Sequence, residues 1–280
     1  MRLSRSKKAV LVGTALLTIG VAGRAAAGEA PHRHTTAAPT FETPSPAPSH
    51  AVRPKKKTAA HTVAAHAPAA PELGKKTGGP AGSHLSTGTS AVALTFDDGP
   101  DPVQTPRMLK LLAQQHVHAT FCLIGKNVRR HPELVRQIVA GGNTLCNHTW
   151  SHSLTIGKQP AARIQADLRR TNDAIHQADP KAKIEYFRAP GGNFTPRLVA
   201  TAKSLGMTSV YWKVDPRDWD HPKGESDAAH RARVISTVEK HVGKGAIILS
   251  HDYNQPDTIA AYRSLIPWLR HRYRLVALPV

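Results

Sequence analysis

The sequence is short of aromatic residues, of acids and of cysteine, and the aromatics are spread unevenly. It holds 4 Trp, 5 Tyr and 5 Phe in 280 residues, and only Phe41 precedes residue 91. A stretch without aromatics or apolar periodicity cannot bury enough surface to offset its ordering entropy. A packed core is therefore excluded before residue 91, and roughly 190 residues remain for one domain of ordinary size. Asp and Glu number 19 against 38 Lys and Arg, a formal charge of +19. That imbalance favours anionic partners such as cell-wall polymers or phospholipid. No nucleic-acid-binding motif accompanies it, so nucleic acid is not an expected partner.

Long hydrophobic runs are also scarce. The candidate, residues 9–23, is shorter than the roughly 20 residues that span a bilayer. It follows Arg2, Arg5, Lys7 and Lys8 and precedes Ala25, Ala26 and Ala27. Basic, apolar and small residues in that order read as a secretory signal peptide over 1–27. The mature protein is expected outside the cell or on the wall, without stable membrane insertion, and an uncleaved N-terminal anchor is the alternative. Residues 28–90, rich in Pro, Ala and Lys, read as a disordered linker. With only Cys122 and Cys146 present, an oxidising compartment permits one disulfide. It is favoured over two buried thiols because the strands that carry them are expected to be neighbours.

From residue 91 onward, short apolar runs alternate with amphipathic segments. Strands are predicted over 91–97, 118–124, 144–146, 184–187, 208–214, 246–249 and 273–277. Helices are predicted over 105–115, 132–140, 160–177, 196–204, 227–241 and 258–269. The alternation indicates an α/β fold, a mostly parallel sheet with helices outside it.

The reactive residues collect at the C-terminal ends of these strands: Asp97 and Asp98, His148 and His152, Arg188, Asp215 and Asp218, and His251. In a parallel α/β barrel those ends converge on one rim, where catalytic groups sit. Asp97 and Asp98 adjoin Gly99-Pro100, a turn signal. Two carboxylates side by side require a cation or a shared proton. His148 and His152 are four apart, a spacing that on a helical turn would let both imidazoles grip one metal. Two histidines and one carboxylate leave a zinc-type site open for water, the catalytic pattern.

These residues carry a resemblance. The stretch 91–280 resembles the polysaccharide deacetylases, the carbohydrate esterase family 4 that shares the NodB homology domain. Thr95-Phe96-Asp97-Asp98-Gly99, His148-Thr149-Trp150-Ser151-His152 and Arg188-Ala189-Pro190-Gly191-Gly192 are similar to its first three motifs. Asp215-Pro216-Arg217-Asp218-Trp219 and Leu249-Ser250-His251 are similar to the fourth and fifth. The resemblance implies a distorted (β/α) barrel of about seven parallel strands and metal-dependent removal of acetyl groups from a polysaccharide. It implies Asp97 as general base, and Asp98, His148 and His152 as ligands of a divalent metal, zinc foremost and cobalt next. It further implies His251 as general acid, Arg188 set against Asp97, and Asp218 set against His251.

The Gly191 N–H, beside Pro190, is expected to receive the oxyanion, and Trp219 and Leu249 to supply apolar walls. Asp215 has two open readings, a loop cap or a functional group. Trp150, Phe194, Tyr211 and Trp212 are expected to pack. Gly191 departs from many relatives, which carry an aromatic there, usually Tyr. Peptidoglycan or chitin oligomers are the expected substrates, with acetylxylan as the O-acetyl alternative and a non-catalytic wall carbohydrate-binding module as the non-enzymatic one, and a monomer is expected.

Overall fold

In a computed structural model, which describes Leu73 and residues 78–279, the apolar runs become seven strands joined by helices. The strands are β1 (Val92–Asp97), β2 (Thr120–Leu123), β3 (Thr144–Asn147), β4 (Ile184–Phe187), β5 (Thr208–Ser209), β6 (Ile247–His251) and β7 (Leu275–Val276). The helices are α1 (Gln104–Gln114), α2 (Gly125–Arg130), α3 (Pro132–Ala140), α4 (Ala161–Ala178), α5 (Pro196–Ser204), α6 (Asp227–His241) and α7 (Pro256–Arg270). Sheet order is β5-β4-β3-β2-β1-β6, with β7 also on β1, and every pairing is parallel. The fold is the expected α/β barrel in distorted form.

The two-residue period of a strand sorts the side chains. Val92, Leu94 and Phe96 of β1 join the core under the helices, with Phe121, Leu145 and Ile248. Ala93 lies on the other face with Cys122, Cys146, Tyr186 and Ile247. Asp97 shares the alternation of Ala93 and Thr95, and register sets it beside His251 of β6 and Cys122 of β2. The barrel interior thus leads up to the reactive residues. Cys122 and Cys146, register partners on β2 and β3, form the disulfide.

Three expectations change. The linker, expected to run to residue 90, gives way to packed chain by about residue 78. Ser83 and Thr87 are buried, His84 bridges to Val210, and Ser86 bridges to Ala246. Backbone bonds from His84 N to Ser209 O (2.9 Å) and Thr87 N to Gly245 O (2.9 Å) place this segment between β5 and β6. It lacks aromatics and works as a filler of the barrel gap, so composition gives no sign of it.

The strand predicted over 208–214 shrinks to Thr208–Ser209, with single bridges at Val210 and Val214. Tyr211 and Trp212 stack on each other at 3.9 Å, which consecutive residues of a regular strand, pointing to opposite faces, cannot do. The break lets the chain leave β4 and bond β6, where Leu249 N donates to Val214 O at 2.9 Å. Finally, α2 was not foreseen, because Gly125–Arg130 has Val128 alone as an aliphatic anchor. The signal segment 1–27 and most of the linker lie outside the described residues. Among those described, no helix is long and apolar enough to cross a membrane.

Candidate active site

Asp97 ends β1, and Asp98 follows with φ of 74°, in the left-handed region. Strand alternation alone would send the two carboxylates to opposite faces; the turn at Asp98 brings both to one cavity. Asn127 of α2 fixes that turn by donating its side-chain N–H to the Asp98 carbonyl at 2.8 Å.

His148 and His152 follow β3, but on an irregular turn and not on the expected helical one. Thr149 and His152 both have positive φ, at 66° and 57°. The Asn147 side-chain oxygen accepts from Thr149 N at 2.9 Å, and Thr149 Oγ1 accepts from His152 N at 3.1 Å. These local side-chain bonds compete with helix formation, and the imidazoles still end 5.0 Å apart, centroid to centroid.

His148 Nδ1 lies 2.8 Å from the Arg188 carbonyl. A carbonyl only accepts, so Nδ1 carries the proton and Nε2 presents a lone pair. Nε2 of His148 and of His152 each stand 3.4 Å from the same atom, Asp98 Oδ1. That oxygen is buried and makes no hydrogen bond. Donors at about 2.0–2.1 Å around a tetrahedral zinc lie about 3.4 Å from one another. The three side chains therefore fit a divalent cation. Burial would raise the Asp98 carboxyl, but the positive charge that His148 carries before a cation binds, with those of His251 and His152, overrides it and holds it down to about 2. His152 is lowered by its own burial. Asp98 is thus anionic and His152 neutral, the forms a metal needs; the charges of Asp97 and Asp98 outweigh burial and raise His148, whose proton a bound cation would displace.

Two further residues are held in place by buried partners. Arg188 is fully buried, and its Nη1 donates to Asp97 Oδ1 and to Thr95 Oγ1, both at 2.7 Å. Its other nitrogens reach the Val210 and Tyr211 carbonyls. Asp98 and Asp97 therefore differ: Asp98 Oδ1 faces two imidazoles at 3.4 Å, whereas Asp97 is bonded to a guanidinium through Oδ1 and meets His148 at 3.6 Å through Oδ2. On the opposite side, buried Asp218 accepts from His251 N at 2.7 Å and from Thr258 Oγ1 at 2.7 Å, and lies 2.9 Å from His251 Nδ1. Burial would lower the His251 pKa, but the Asp218 charge dominates and pushes it up to about 10.

A cavity of about 490 Å³ joins these groups. It is lined by Asp97, Asp98, His148, His152 and His251, with Gly191, Trp219 and Leu249 as walls. Pro190 is buried and is not among the lining residues; it shapes the turn that presents Gly191. The first hydrogen bond of that turn runs from Gly192 N to Ala189 O, so the Gly191 N–H precedes the turn's own bonding.

A family model described as polysaccharide deacetylase matches residues 84–210. A chitooligosaccharide deacetylase of Sinorhizobium fredii is 36% identical over 198 residues, 66% of this chain and 88% of the relative. The chain belongs to the polysaccharide deacetylase family. A peptidoglycan-N-acetylglucosamine deacetylase of Bacillus cereus is 36% identical over 197 residues, 66% of this chain and 84% of the relative. A solved structure from Bacillus anthracis, described as a carbohydrate esterase family 4 pseudoenzyme, superposes with a TM-score of 0.61 at 26% identity. That match covers 68% of this chain and 64% of the other, less than two thirds of its length. A deacetylase fold alone therefore does not establish catalysis, and the side chains must carry that argument.

Four lining residues were missed or left open in the sequence. Asp215, one of the open readings, faces the cavity, and burial raises its carboxyl pKa. Trp212, expected to pack, both stacks on Tyr211 and lines the cavity. Leu154 and Asn193 sit in loops without periodicity, where no sequence signal marks them. They stand where a side chain at position 191 would project. A Cβ there would come within 3.0 Å of Leu154 Cδ2 and 3.2 Å of Asn193 Nδ2. Leu154, with Asn193 bonded to its carbonyl at 3.1 Å, thus crowds the side of Gly191 from which a side chain would project.

Proposed function

We propose that the chain is an exported, metal-dependent hydrolase that removes N-acetyl groups from N-acetylglucosamine-type polysaccharide, peptidoglycan before chitin oligomers. The observation that carries this reading is the unequal pair Asp97 and Asp98. One carboxylate stands 3.4 Å from two imidazole nitrogens, and its neighbour is bonded to a buried guanidinium.

Asp98, His148 and His152 would hold the cation, zinc by donor type. When bound, it supplies Lewis acidity, lowering the pKa of a water and polarising the acetyl carbonyl. Asp97, bonded to Arg188, takes a proton from the water whose oxygen attacks the carbonyl carbon. The Gly191 N–H donates to the developing oxyanion. His251, protonated through Asp218, gives its proton to the amide nitrogen as the C–N bond breaks. Acetate and a free amine leave. Trp219, Trp212 and Leu249 offer apolar walls to a sugar ring.

The basic balance of the chain favours a polyanionic wall over neutral chitin. Export draws support from the signal-type N-terminus and from the Cys122–Cys146 disulfide, which reducing cytosol would oppose.

The test is acetate release from peptidoglycan, chitin oligomers and acetylxylan, with metal-replete and metal-stripped protein. Release from the N-acetylated glycans that vanishes on stripping and returns with Zn²⁺ is expected. Release from acetylxylan alone would reassign the chain as an O-acetyl esterase, and undiminished release after verified metal loss would end the metal role.

A further inference from the structure

Outside the cavity, the loop that carries Asp218 and Trp219 meets α6 and α7 at a second group of donors. His221 of that loop, His230 of α6 and Asp257 of α7 each offer one ligand atom within 4.8 Å of the others. His230 occupies the buried stripe that α6 continues with Val234 and Val238. An apolar residue would fill that position at no electrostatic cost. The imidazole there has Nδ1 3.4 Å from Asp257 Oδ2 and its ring 3.8 Å from that of His221. Nδ1 is thus the ring nitrogen turned to the carboxylate, in a long contact that a cation held between the two would replace. Asp257 is anchored from its far side, where Arg231 Nη1 donates to Oδ1 at 2.7 Å, so Oδ2 stays turned toward the imidazole.

We infer that His221, His230 and Asp257 form a second site for a divalent cation of zinc type, separate from the one at Asp98. Two imidazoles and a carboxylate are a zinc-like donor set. The 3.4 Å between His230 Nδ1 and Asp257 Oδ2 equals the spacing from His148 Nε2 to Asp98 Oδ1. It also equals the edge of about 3.4 Å expected around tetrahedral zinc. The charge balance sets a ranking. Asp97 and Asp98 face one Arg188, a surplus carboxylate, whereas Asp257 faces Arg231 with none to spare. The second site therefore binds more weakly and empties first on chelation. Its cation ties the loop around His221 to two helices, and so steadies Trp219 and Asp218 at the cavity edge. The inference does not depend on the proposed hydrolysis.

The experiment is Zn²⁺ titration of the metal-stripped full chain, in wild type, His221→Ala and His148→Asn. Histidines elsewhere contribute equally to all three. His221 is exposed, so its loss spares the fold, and His230→Gln repeats the test from the buried side. His221→Ala is expected to lose one equivalent, the weaker, and His148→Asn the tighter one. Amide exchange over residues 219–225 is expected to slow on Zn²⁺ addition in wild type and His148→Asn, and to stay unchanged in His221→Ala. Equal stoichiometry in wild type and His221→Ala would overturn the site, as would exchange over 219–225 indifferent to Zn²⁺ in wild type.

Discussion

The two sides of the cavity use one device with its polarity reversed. On one side a buried cation, Arg188, holds an anion, Asp97, at the cavity wall. On the other a buried anion, Asp218, holds a cation, His251, at the same wall. In both couples the inner member is fully buried and hydrogen-bonded to more than its partner. Under the proposed mechanism the sign of the hidden residue suits the job of the presented one: Arg188 holds the carboxylate that would accept a proton, and Asp218 favours an imidazole able to give one. Neighbouring Asp98 shows the contrast. It lacks a guanidinium and faces two imidazoles, a donor set that fits a metal.

The largest expected effect comes from breaking the first couple at its hidden end. Arg188→Met leaves Asp97 without its partner in a buried setting, a change that costs about 3–5 kcal/mol. Chemical denaturation should show a loss of that order, together with loss of acetate release. An Arg188→Met protein as stable as wild type would mean that the couple contributes little to the fold.

A smaller effect is expected at the second couple, and it is read in pH. Asp218→Asn removes the main influence that raises His251, leaving burial, which lowers it, opposed only by the charges of Asp98 and Asp97. His251 then loses its proton at lower pH, so the alkaline limb of the rate profile moves down. Stability follows the same sign. A raised histidine stabilises fully below its ordinary value of 6.5 and loses that contribution as pH rises through about 10. Thermal melts should therefore show the widest gap between wild type and Asp218→Asn below that ordinary value, narrowing as pH climbs toward 10. An unmoved alkaline limb would contradict the acid role of His251.

The smallest effect lies between the couples. Leu154→Ala opens space beside Gly191, and is expected to raise KM about threefold with kcat nearly unchanged, as loss of modest apolar contact would. A large fall in kcat would place Leu154 closer to the reacting atoms than its wall position suggests.

Much of this site was legible in the sequence because its residues stand where apolar runs stop. Asp97, His148, Arg188 and His251 each end or follow a predicted strand, and register then gathers them. The His148–His152 spacing pointed to two imidazoles that do meet beside Asp98, but not on the helical turn expected, since Asn147 and Thr149 side chains bond the backbone into a left-handed turn. Leu154 and Asn193 stayed hidden because loop residues have no period to betray them. The edge of the domain near residue 78 stayed hidden for another reason: it is held by backbone bonds to Ser209 and Gly245, and backbone pairing leaves no mark in composition. Helix α2 belongs with these, being fixed by contacts and not by its own propensity.

The central claim is that Asp97 and Asp98, adjacent in sequence, do different work. It is tested by measuring bound Zn²⁺ and acetate release side by side in Asp97→Asn and Asp98→Asn. Asp97→Asn should keep the Zn²⁺ of the Asp98 site and lose about 10²- to 10⁴-fold in turnover, while Asp98→Asn should lose that Zn²⁺ and the turnover together. Loss of Zn²⁺ from both variants alike, or wild-type turnover in zinc-loaded Asp97→Asn, would contradict it.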